Sequence, residues 1–248
     1  MKAATSIVLV HGAWHGAWCW HRVLPLLRAA GAPSYAPTLT GLGERAHLMG
    51  PNIGLQTHVQ DVLGLIEAEE LQRVMLVGHS YAGMVVTGVA DRLQAAAPGV
   101  LAQLVYLDAV LPYPGDAWST PHDDATKAKR FESAKASGGL HFAPPDASVY
   151  GLADDDRDWV NRRQTPQPYK TYDEPLDFDE DAVERVPRAF IDCTSPALAT
   201  IAASRTRVRS EPGWQLIEMA AGHDPMVSHP RELAEHLLAL WRGAQGGA

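Results

Sequence analysis

The sequence predicts an α/β protein with a doubly wound, mainly parallel sheet and a helical cap inserted after the strand that ends at Asp108. Short runs rich in Val, Leu and Ile have the continuous apolar character of strands buried on both faces of a parallel sheet. These runs alternate with segments in which apolar residues recur at helical spacing. This alternation is typical of a doubly wound fold.

The alternation is interrupted once, at 112–187, where strand signals vanish and Pro, Asp and aromatic residues accumulate. We interpret this segment as a cap over the site. A chain of 248 residues suits one sizeable core. We therefore expect a single domain at 1–248, with its core at 1–111 and 188–248 and the cap at 112–187.

The core elements are predicted from periodicity and from Gly or Pro stop signals. In chain order they are a strand at 6–10, a helix at 18–30 before Gly31, a strand at 34–37, a helix at 57–70, a strand from 74, a helix after Ser80 that ends by Pro98, strands at 101–107, 189–194 and 214–219, and a helix at 230–241.

The stretch from Gly78 to Ala82 contains a serine at a predicted strand-to-helix turn. Small residues two positions before and after a serine allow the strained turn known as a nucleophile elbow. Ser80 is therefore the predicted nucleophile, and the Tyr81 amide at the start of the helix is a predicted oxyanion donor. The alternative is a Gly-rich turn with an incidental serine.

The first strand ends in His11-Gly12-Ala13-Trp14, at the sheet edge where α/β proteins bind ligands. Gly12 permits close approach of the backbone, so the amide of Ala13 is the natural second oxyanion donor. We expect His11 to fix this loop rather than to take part in chemistry. An ordinary strand-to-helix loop is the alternative interpretation.

A serine nucleophile needs a base, and the base needs an orienting acid. His223, in the loop after the last strand, is the predicted base, with a surface loop histidine as the alternative. Asp108 follows the strand after the elbow helix, at the same sheet edge, and is the favoured acid. Asp192 lies inside a predicted strand and is less favoured, and Asp224, adjacent to the base, is a weak third choice. His79 is expected to point away.

The cap contains more Asp and Glu than Lys and Arg, and it accounts for most of the net charge of −8. If these acids rim the entrance, they should disfavour anionic substrates. Its aromatic residues could line an apolar pocket, although some must form the core of the cap. The residues predicted to line the pocket are Gly12, Trp14, Trp118, Trp159 and Tyr169.

Composition excludes several classes of function. The acidic net charge does not provide the basic surface that nucleic-acid binding requires. The apolar run at 7–10 is too short for a signal peptide or a membrane span. We therefore expect a soluble, cytoplasmic protein whose Cys19 and Cys193 are buried, reduced thiols. The histidines show no metal-ligand spacing, so we expect no metal and no cofactor. Nothing in the sequence predicts the oligomeric state.

Three motifs resemble a known family: VLVHGAWHGAWCW at 8–20, GHSYAG at 78–83 and GHD at 222–224. They resemble α/β-hydrolases that include plant methyl-ester hydrolases and hydroxynitrile lyases. The resemblance implies an α/β-hydrolase fold with Ser80 as nucleophile and His223 as base. It also implies that the amides of Ala13 and Tyr81 form the oxyanion hole.

The sequence departs from this family at two places. The plant members carry their acid shortly after the strand matching 189–194, where this chain has Pro196, so Asp108 must substitute. The lyases have Thr at the position of Gly12 and Lys at that of Asp224. Lacking both, the chain is more similar to the esterases than to the cyanohydrin lyases.

These observations predict a serine hydrolase that cleaves a small, neutral, fairly apolar carboxylic ester, thioester or lactone through an acyl-enzyme. One alternative is a lyase or cyclising enzyme in which Ser80 and His223 act as an acid/base pair without an acyl intermediate. Another is a small-molecule binding protein on a hydrolase fold.

Overall fold

A six-stranded parallel sheet forms the centre of the computed structural model, which describes residues 4–246. The strands are β1 (Ser6–Val10), β2 (Ser34–Tyr35), β3 (Val74–His79), β4 (Leu101–Leu107), β5 (His141–Phe142), β6 (Gln167–Pro168), β7 (Arg188–Cys193) and β8 (Trp214–Met219). The order in the sheet is β2-β1-β3-β4-β7-β8, and β5 pairs with β6 in a separate antiparallel ladder.

Helices cover the sheet. They are α1 (Leu24–Ala29), α2 (Leu55–Ala68), α3 (Ala82–Ala96), α4 (Asp124–Lys135), α5 (Asp154–Asn161), α6 (Lys170–Asp173), α7 (Glu180–Glu184), α8 (Ala202–Ser210), α9 (Pro225–Ser228) and α10 (Pro230–Gly246). Helix α2 packs against α3, and α1 packs against α10. The predicted doubly wound fold is thus confirmed.

The core lies where the sequence has its longest apolar runs. Every residue of β1, β3 and β4 is buried, as expected of strands with neighbours on both sides and helices above and below. Strand β8 lies at the edge of the sheet and is partly exposed, with polar Gln215 and Glu218 facing solvent. Edge strands are commonly protected by such polar side chains.

The helix predicted at 18–30 is wrong in its extent. The chain forms a 3-10 turn at Ala17–Trp20 and begins again as α1, with Pro25 in the first turn. Proline lacks an N–H to donate and is tolerated only at the start of a helix, so α1 begins next to it. Gly31 then has a φ of 80°, which ends the helix as predicted.

The segment at 112–187 contains the helices α4 to α7, which are connected by loops. Its last helix, α7, packs against α3 of the core. The short ladder of β5 and β6 was not predicted, because two-residue strands leave no periodicity to detect. Helix α8, between β7 and β8, was also missed. Over residues 4–246, no helix combines the length and the apolarity needed to cross a bilayer.

Candidate active site

Ser80 occupies the turn between β3 and α3 with a left-handed φ of 56°. Its N–H donates to the Leu107 carbonyl over 3.2 Å, and its own carbonyl accepts the Val110 N–H over 3.0 Å. A Cβ atom at Gly78 would lie 2.8 Å from the Ala82 carbonyl oxygen. The turn therefore requires glycine two residues before the serine, and backbone bonds from β4 and the loop after it hold the strained conformation.

The structure brings Ser80, His223 and Asp108 together. The Ser80 hydroxyl donates to His223 Nε2 over 2.9 Å, and His223 Nδ1–H donates to Asp108 Oδ2 over 2.6 Å. The two partners of the serine are buried, with 2% of His223 and none of Asp108 exposed. The His223 N–H donates to the Tyr150 carbonyl, which fixes the loop that carries the imidazole. The three side chains form a continuous hydroxyl, imidazole and carboxylate chain.

Asp192 lies within β7, as predicted, and its carboxylate does not contact His223. Its Oδ1 accepts Arg205 Nε over 2.5 Å, and its Oδ2 accepts Arg209 Nη2 over 2.6 Å. Arg205 also donates through Nη2 to Asp108 Oδ1 over 2.5 Å. The role of Arg205 was not predicted from the sequence. A carboxylate inside a buried strand needs a cation nearby, so the position of Asp192 predicts a basic partner. Arg205 and Arg209, four residues apart on α8, are these partners.

His11 fixes the loop after β1 through both of its ring nitrogens. Nδ1–H donates to the Gly12 carbonyl over 2.8 Å, and Nε2 accepts the Leu39 N–H over 3.0 Å. Burial lowers the pKa of His11 to about 3, so the ring is neutral, as these two bonds require. Because a peptide unit is planar and trans, holding the Gly12 carbonyl also orients the Ala13 N–H in the opposite direction.

Trp14 continues this loop with a left-handed φ of 63°, which is unusual for a bulky side chain. Two bonds from the segment at 112–187 hold it. The Trp14 N–H donates to Gln167 Oε1 over 2.9 Å, and the Trp14 carbonyl accepts the Thr165 N–H over 2.9 Å. Gln167 is fully buried and also donates to Thr171. Sequence reasoning did not find Gln167, since it is distant in the chain and belongs to no motif.

Tyr81 is anchored at the start of α3 by its side chain. Its hydroxyl donates to His58 Nδ1 over 3.0 Å, and His58 Nε2–H donates to the Thr40 carbonyl over 2.9 Å. Burial lowers the pKa of His58 to about 4, which keeps it a neutral acceptor. Within residues 4–246, the backbone amides of Ala13 and Tyr81 are not engaged in any loop or side-chain hydrogen bond. Both remain available to a ligand.

Gly12 lies against the serine turn itself. A Cβ atom there would be 2.9 Å from Ser80 Cβ and 2.8 Å from His79 Nδ1. His79 is buried beside the His223 ring, with ring centroids 4.6 Å apart, and its Nε2–H donates to the His223 carbonyl over 2.9 Å. The expectation that His79 points away from the site is therefore wrong. It supports the His223 backbone, and burial lowers its pKa well below 6.5.

Asp224 forms a buried pair with His15 and not with His223. His15 Nε2–H donates to Asp224 Oδ2 over 3.0 Å, and Nδ1–H donates to the Ala13 carbonyl over 2.7 Å. Burial disfavours the charged ring, but the charge of Asp224 outweighs it and raises the pKa of His15. Burial likewise opposes the Asp224 charge, yet His15 keeps the pKa of this carboxyl lowered.

One cluster has the composition of a metal site. Ligand atoms of His79, His223 and Asp224 lie within 4.8 Å of one another. The two ring nitrogens of His223 bond Ser80 and Asp108, and the pair with His15 neutralises Asp224. His79 Nδ1 and Asp224 Oδ1 have no hydrogen-bond partner, but the bonded His223 ring has no lone pair left for a cation, so the cluster offers at most two ligands.

A cavity of about 410 Å³ borders Ser80 and His223. Its apolar wall includes Trp14, Trp118, Phe142, Tyr150, Leu198 and Ile201. Of the five residues predicted to line the pocket, only Trp14 and Trp118 do so. Gly12 lies behind the serine, Trp159 packs against Trp18, and Tyr169 packs against Phe142 and borders a different cavity.

The expected acidic rim is absent from this cavity. Among the described residues, its lining includes Lys129 and Arg130 but no Asp or Glu. Several acids of the segment instead lie at helix N-termini, such as Asp123 before α4 and Asp154 in the first turn of α5. Carboxylates are stabilised there by the free N–H groups and the helix dipole. Helix capping therefore explains part of the acidic composition that we had assigned to the entrance.

Comparison with known proteins places the chain in a family. A profile described as the alpha/beta hydrolase family matches residues 7–236. The "Carbendazim hydrolyzing esterase" of Nocardioides sp. (strain SG-4G) is 44% identical, over 95% of this chain and 99% of that protein. "Methylesterase 2" of Arabidopsis thaliana is 26% identical, over 96% of this chain and 97% of that protein.

A solved structure, described as an extracellular alpha/beta-hydrolase from a Paenibacillus species, superposes with a TM-score of 0.81 at 20% identity. The match covers 95% of this chain and 98% of that one, and it supports the fold. The chain therefore belongs to the alpha/beta hydrolase family. Its relatives support ester hydrolysis, and within the family the chain is a carboxylic ester hydrolase.

Proposed function

We propose that the protein hydrolyses small carboxylic esters through an acyl-enzyme on Ser80. The observation that carries the proposal is the hydrogen-bonded chain from Ser80 Oγ through His223 to Asp108. His223 Nε2 accepts the hydroxyl proton as the oxygen attacks the ester carbonyl, and it returns this proton to the leaving alcohol. Water then attacks the acyl-enzyme, and His223 accepts the proton of the water and returns it to Ser80 Oγ. Asp108 holds the imidazole in the tautomer that leaves Nε2 free to accept.

The amides of Ala13 and Tyr81 stabilise the tetrahedral oxyanion in this proposal. Both belong to backbone that is fixed from outside the site, Ala13 through His11 and Tyr81 through His58. Donors that are already oriented need little reorganisation as negative charge develops, which is the main source of electrostatic stabilisation in acyl transfer. The mechanism requires no cofactor.

The segment at 112–187 acts as the cap of this site. It supplies Trp118 and Phe142 to the wall above Ser80, and through Gln167 it holds the loop that carries Ala13. A cap of this kind excludes water and shapes the pocket. On this assignment, the chain is one domain with a core at 1–111 and 188–248.

The substrate is a small ester with a largely apolar body. A cavity of about 410 Å³ walled by Trp14 and Trp118 accommodates one aromatic or branched group beside the reacting carbonyl. The relatives named as methylesterases support a small alcohol portion such as methanol. The predicted restriction to neutral esters is not retained, because no carboxylate from residues 4–246 lines the cavity to repel an anion.

A panel of p-nitrophenyl and methyl esters, with intact-mass detection of the acyl-enzyme, tests the proposal. We expect turnover, and we expect a serine-directed sulfonyl fluoride to modify Ser80 stoichiometrically. Ser80→Ala should abolish both results. Ser133→Ala, which alters a second serine of the same cavity without a histidine partner, should preserve them. If Ser80 and His223 act only as an acid/base pair, we would instead observe turnover without an acyl-enzyme.

A further inference from the structure

Arg130 lies in the wall of the cavity that contains Ser80, and aromatic rings surround its guanidinium. The guanidinium carbon is 4.5 Å from the ring centroid of Trp118 and 4.7 Å from that of Tyr172. The rings of Trp14 and Phe142 follow at 5.4 Å and 5.6 Å. Ring faces attract a cation and hold it in place, but they offer no lone pair in the plane of its N–H groups.

No counter-ion accompanies this cation. Among residues 4–246, no carboxylate lies within ion-pair distance of Arg130, and its buried Nη1 has no hydrogen-bond partner. Arg205 of the same molecule contrasts with it, since two carboxylates lie 2.5 Å from its nitrogens. An unpaired, half-buried cation costs free energy, and an anion that enters the cavity would remove that cost.

The neighbours of Arg130 do not supply negative charge. Burial raises the pKa of Tyr172 to about 12, so its hydroxyl stays neutral. Burial and the charge of Arg130 lower the pKa of His122 to about 3, so this ring is neutral as well. Lys129, on the same helix, also borders the cavity and adds a second positive charge. The part of the cavity wall that Arg130 and Lys129 form is therefore electropositive.

We propose that Arg130 binds a carboxylate of the substrate, separate from the ester that is cleaved. The inference rests on the proposed function and narrows it to esters that carry a second, free carboxylate on an aromatic or apolar body. Arg130 lines the cavity and its Nη1 has no hydrogen-bond partner in the protein, so a carboxylate that enters the cavity can accept from the guanidinium in bidentate geometry. A purely structural arginine would pair all of its buried N–H groups within the protein, whereas Arg130 interacts with the Tyr172 side chain and leaves its buried Nη1 without a partner.

A matched pair of substrates tests the inference by activity. The methyl ester of isophthalic acid with its second carboxylate free is compared with the methyl ester in which a carboxamide replaces that carboxylate. We expect the acid to have the higher kcat/KM. Arg130→Met should lower kcat/KM for the acid on the order of 10²-fold, mainly through KM, and leave the amide nearly unchanged.

Two further variants serve as controls. Arg130→Lys keeps the charge but loses the planar fork, so its effect should be intermediate. Arg163→Met removes an arginine of the same segment that stacks on Trp159 at 4.5 Å but does not line the cavity, and it should behave as wild type. Equal loss for both substrates in Arg130→Met would overturn the inference in favour of a structural role. If the wild-type protein has the higher kcat/KM for the amide, Arg130 binds an uncharged oxygen of the substrate and the inference is overturned.

Binding without turnover separates this inference from the proposed reaction. In the Ser80→Ala protein, isophthalate should change tryptophan fluorescence, because Trp14 and Trp118 lie beside Arg130. Arg130→Met in the same background should abolish the change at equal ligand concentration. If isophthalate binds through Arg130 but no ester is turned over, the proposed function fails and the anion site stands. If esters are hydrolysed but isophthalate binds equally well without Arg130, only the anion site fails.

Discussion

Asp108, which follows β4, and Asp192, within the neighbouring strand β7, share the guanidinium of Arg205. Arg205 donates to Asp108 Oδ1 through Nη2 and to Asp192 Oδ1 through Nε, each over 2.5 Å. Asp108 therefore presents Oδ2 to His223 while its other oxygen is held from the opposite side. Asp192 contributes to the site through the position of Arg205 and makes no contact with the imidazole.

Substituting these two aspartates should have different effects. Asp108→Asn should lower kcat by a factor on the order of 10²–10⁴ in a folded protein, because an amide favours the wrong imidazole tautomer. Asp192→Asn should leave kcat within about tenfold of wild type and lower the Tm, since it weakens bonds to Arg205 and Arg209 in a buried position. Steady-state kinetics and thermal unfolding of both variants check this. A folded Asp192→Asn protein with the larger loss of kcat would contradict the assignment.

Gln167 should control the oxyanion loop, because its Oε1 accepts the N–H of strained Trp14, next to Ala13. Gln167→Ala should lower kcat by roughly 10- to 100-fold, less than the 10²–10³ known for removing an oxyanion donor outright. Thr171→Val is the control, because it removes the bond that Gln167 donates to Thr171 and the bond from Thr171 to the Pro168 carbonyl, but it leaves the bond to Trp14 in place. If the Thr171 variant loses as much kcat as the Gln167 variant, the effect belongs to cap packing and not to the loop.

Gly12 should tolerate no side chain. In Gly12→Ala the new methyl would lie 2.9 Å from Ser80 Cβ and 2.8 Å from His79 Nδ1, so either the loop at Gly12 or the serine turn must shift. We expect a loss of kcat larger than tenfold, because small displacements of reacting groups are costly. Gly64→Ala, at a helical glycine with nothing within 4 Å, should stabilise the protein by about 0.4–1 kcal/mol and keep full activity. Full activity of Gly12→Ala would show that the loop relaxes freely.

The buried pair of His15 and Asp224 should make a pH-dependent contribution to stability. The pKa of His15 is raised above 6.5, so its contribution is complete below pH 6.5 and is lost as the pH rises through the raised value. The pKa of Asp224 is lowered below 3.8, so its contribution is complete above pH 3.8 and is lost as the pH falls through the lowered value. The pair therefore stabilises the protein most between pH 3.8 and pH 6.5.

Thermal unfolding of wild type and His15→Gln at pH 5.5 and pH 9 measures this contribution. The difference in Tm should be largest at pH 5.5, where breaking a buried pair costs about 3–5 kcal/mol. It should shrink as the pH rises through the raised pKa of His15, because the wild-type ring then loses its charge. His21→Gln, at an exposed histidine, should show little difference at either pH. A difference for His15→Gln that does not change with pH would contradict a His15 charge that titrates in this range.

Features that depend on neighbouring residues could be predicted from the sequence. The apolar runs of β1, β3 and β4, the serine turn at Ser80 and the loop at Gly12 were placed correctly, because burial patterns and backbone sterics act over a few residues. The helix at 18–30 failed where one local rule, proline at a helix start, overrode another, apolar spacing.

Contacts between distant segments were decided only by the tertiary structure. Arg205 reaches Asp108 across 97 positions, and Gln167 reaches Trp14 across 153. The same holds for Arg130, whose aromatic neighbours come from the loop after β1 and from separate parts of the cap. Local sequence determines how each segment folds and which of its faces is buried. It does not determine which polar side chain meets which, because those pairings follow from how the finished elements pack.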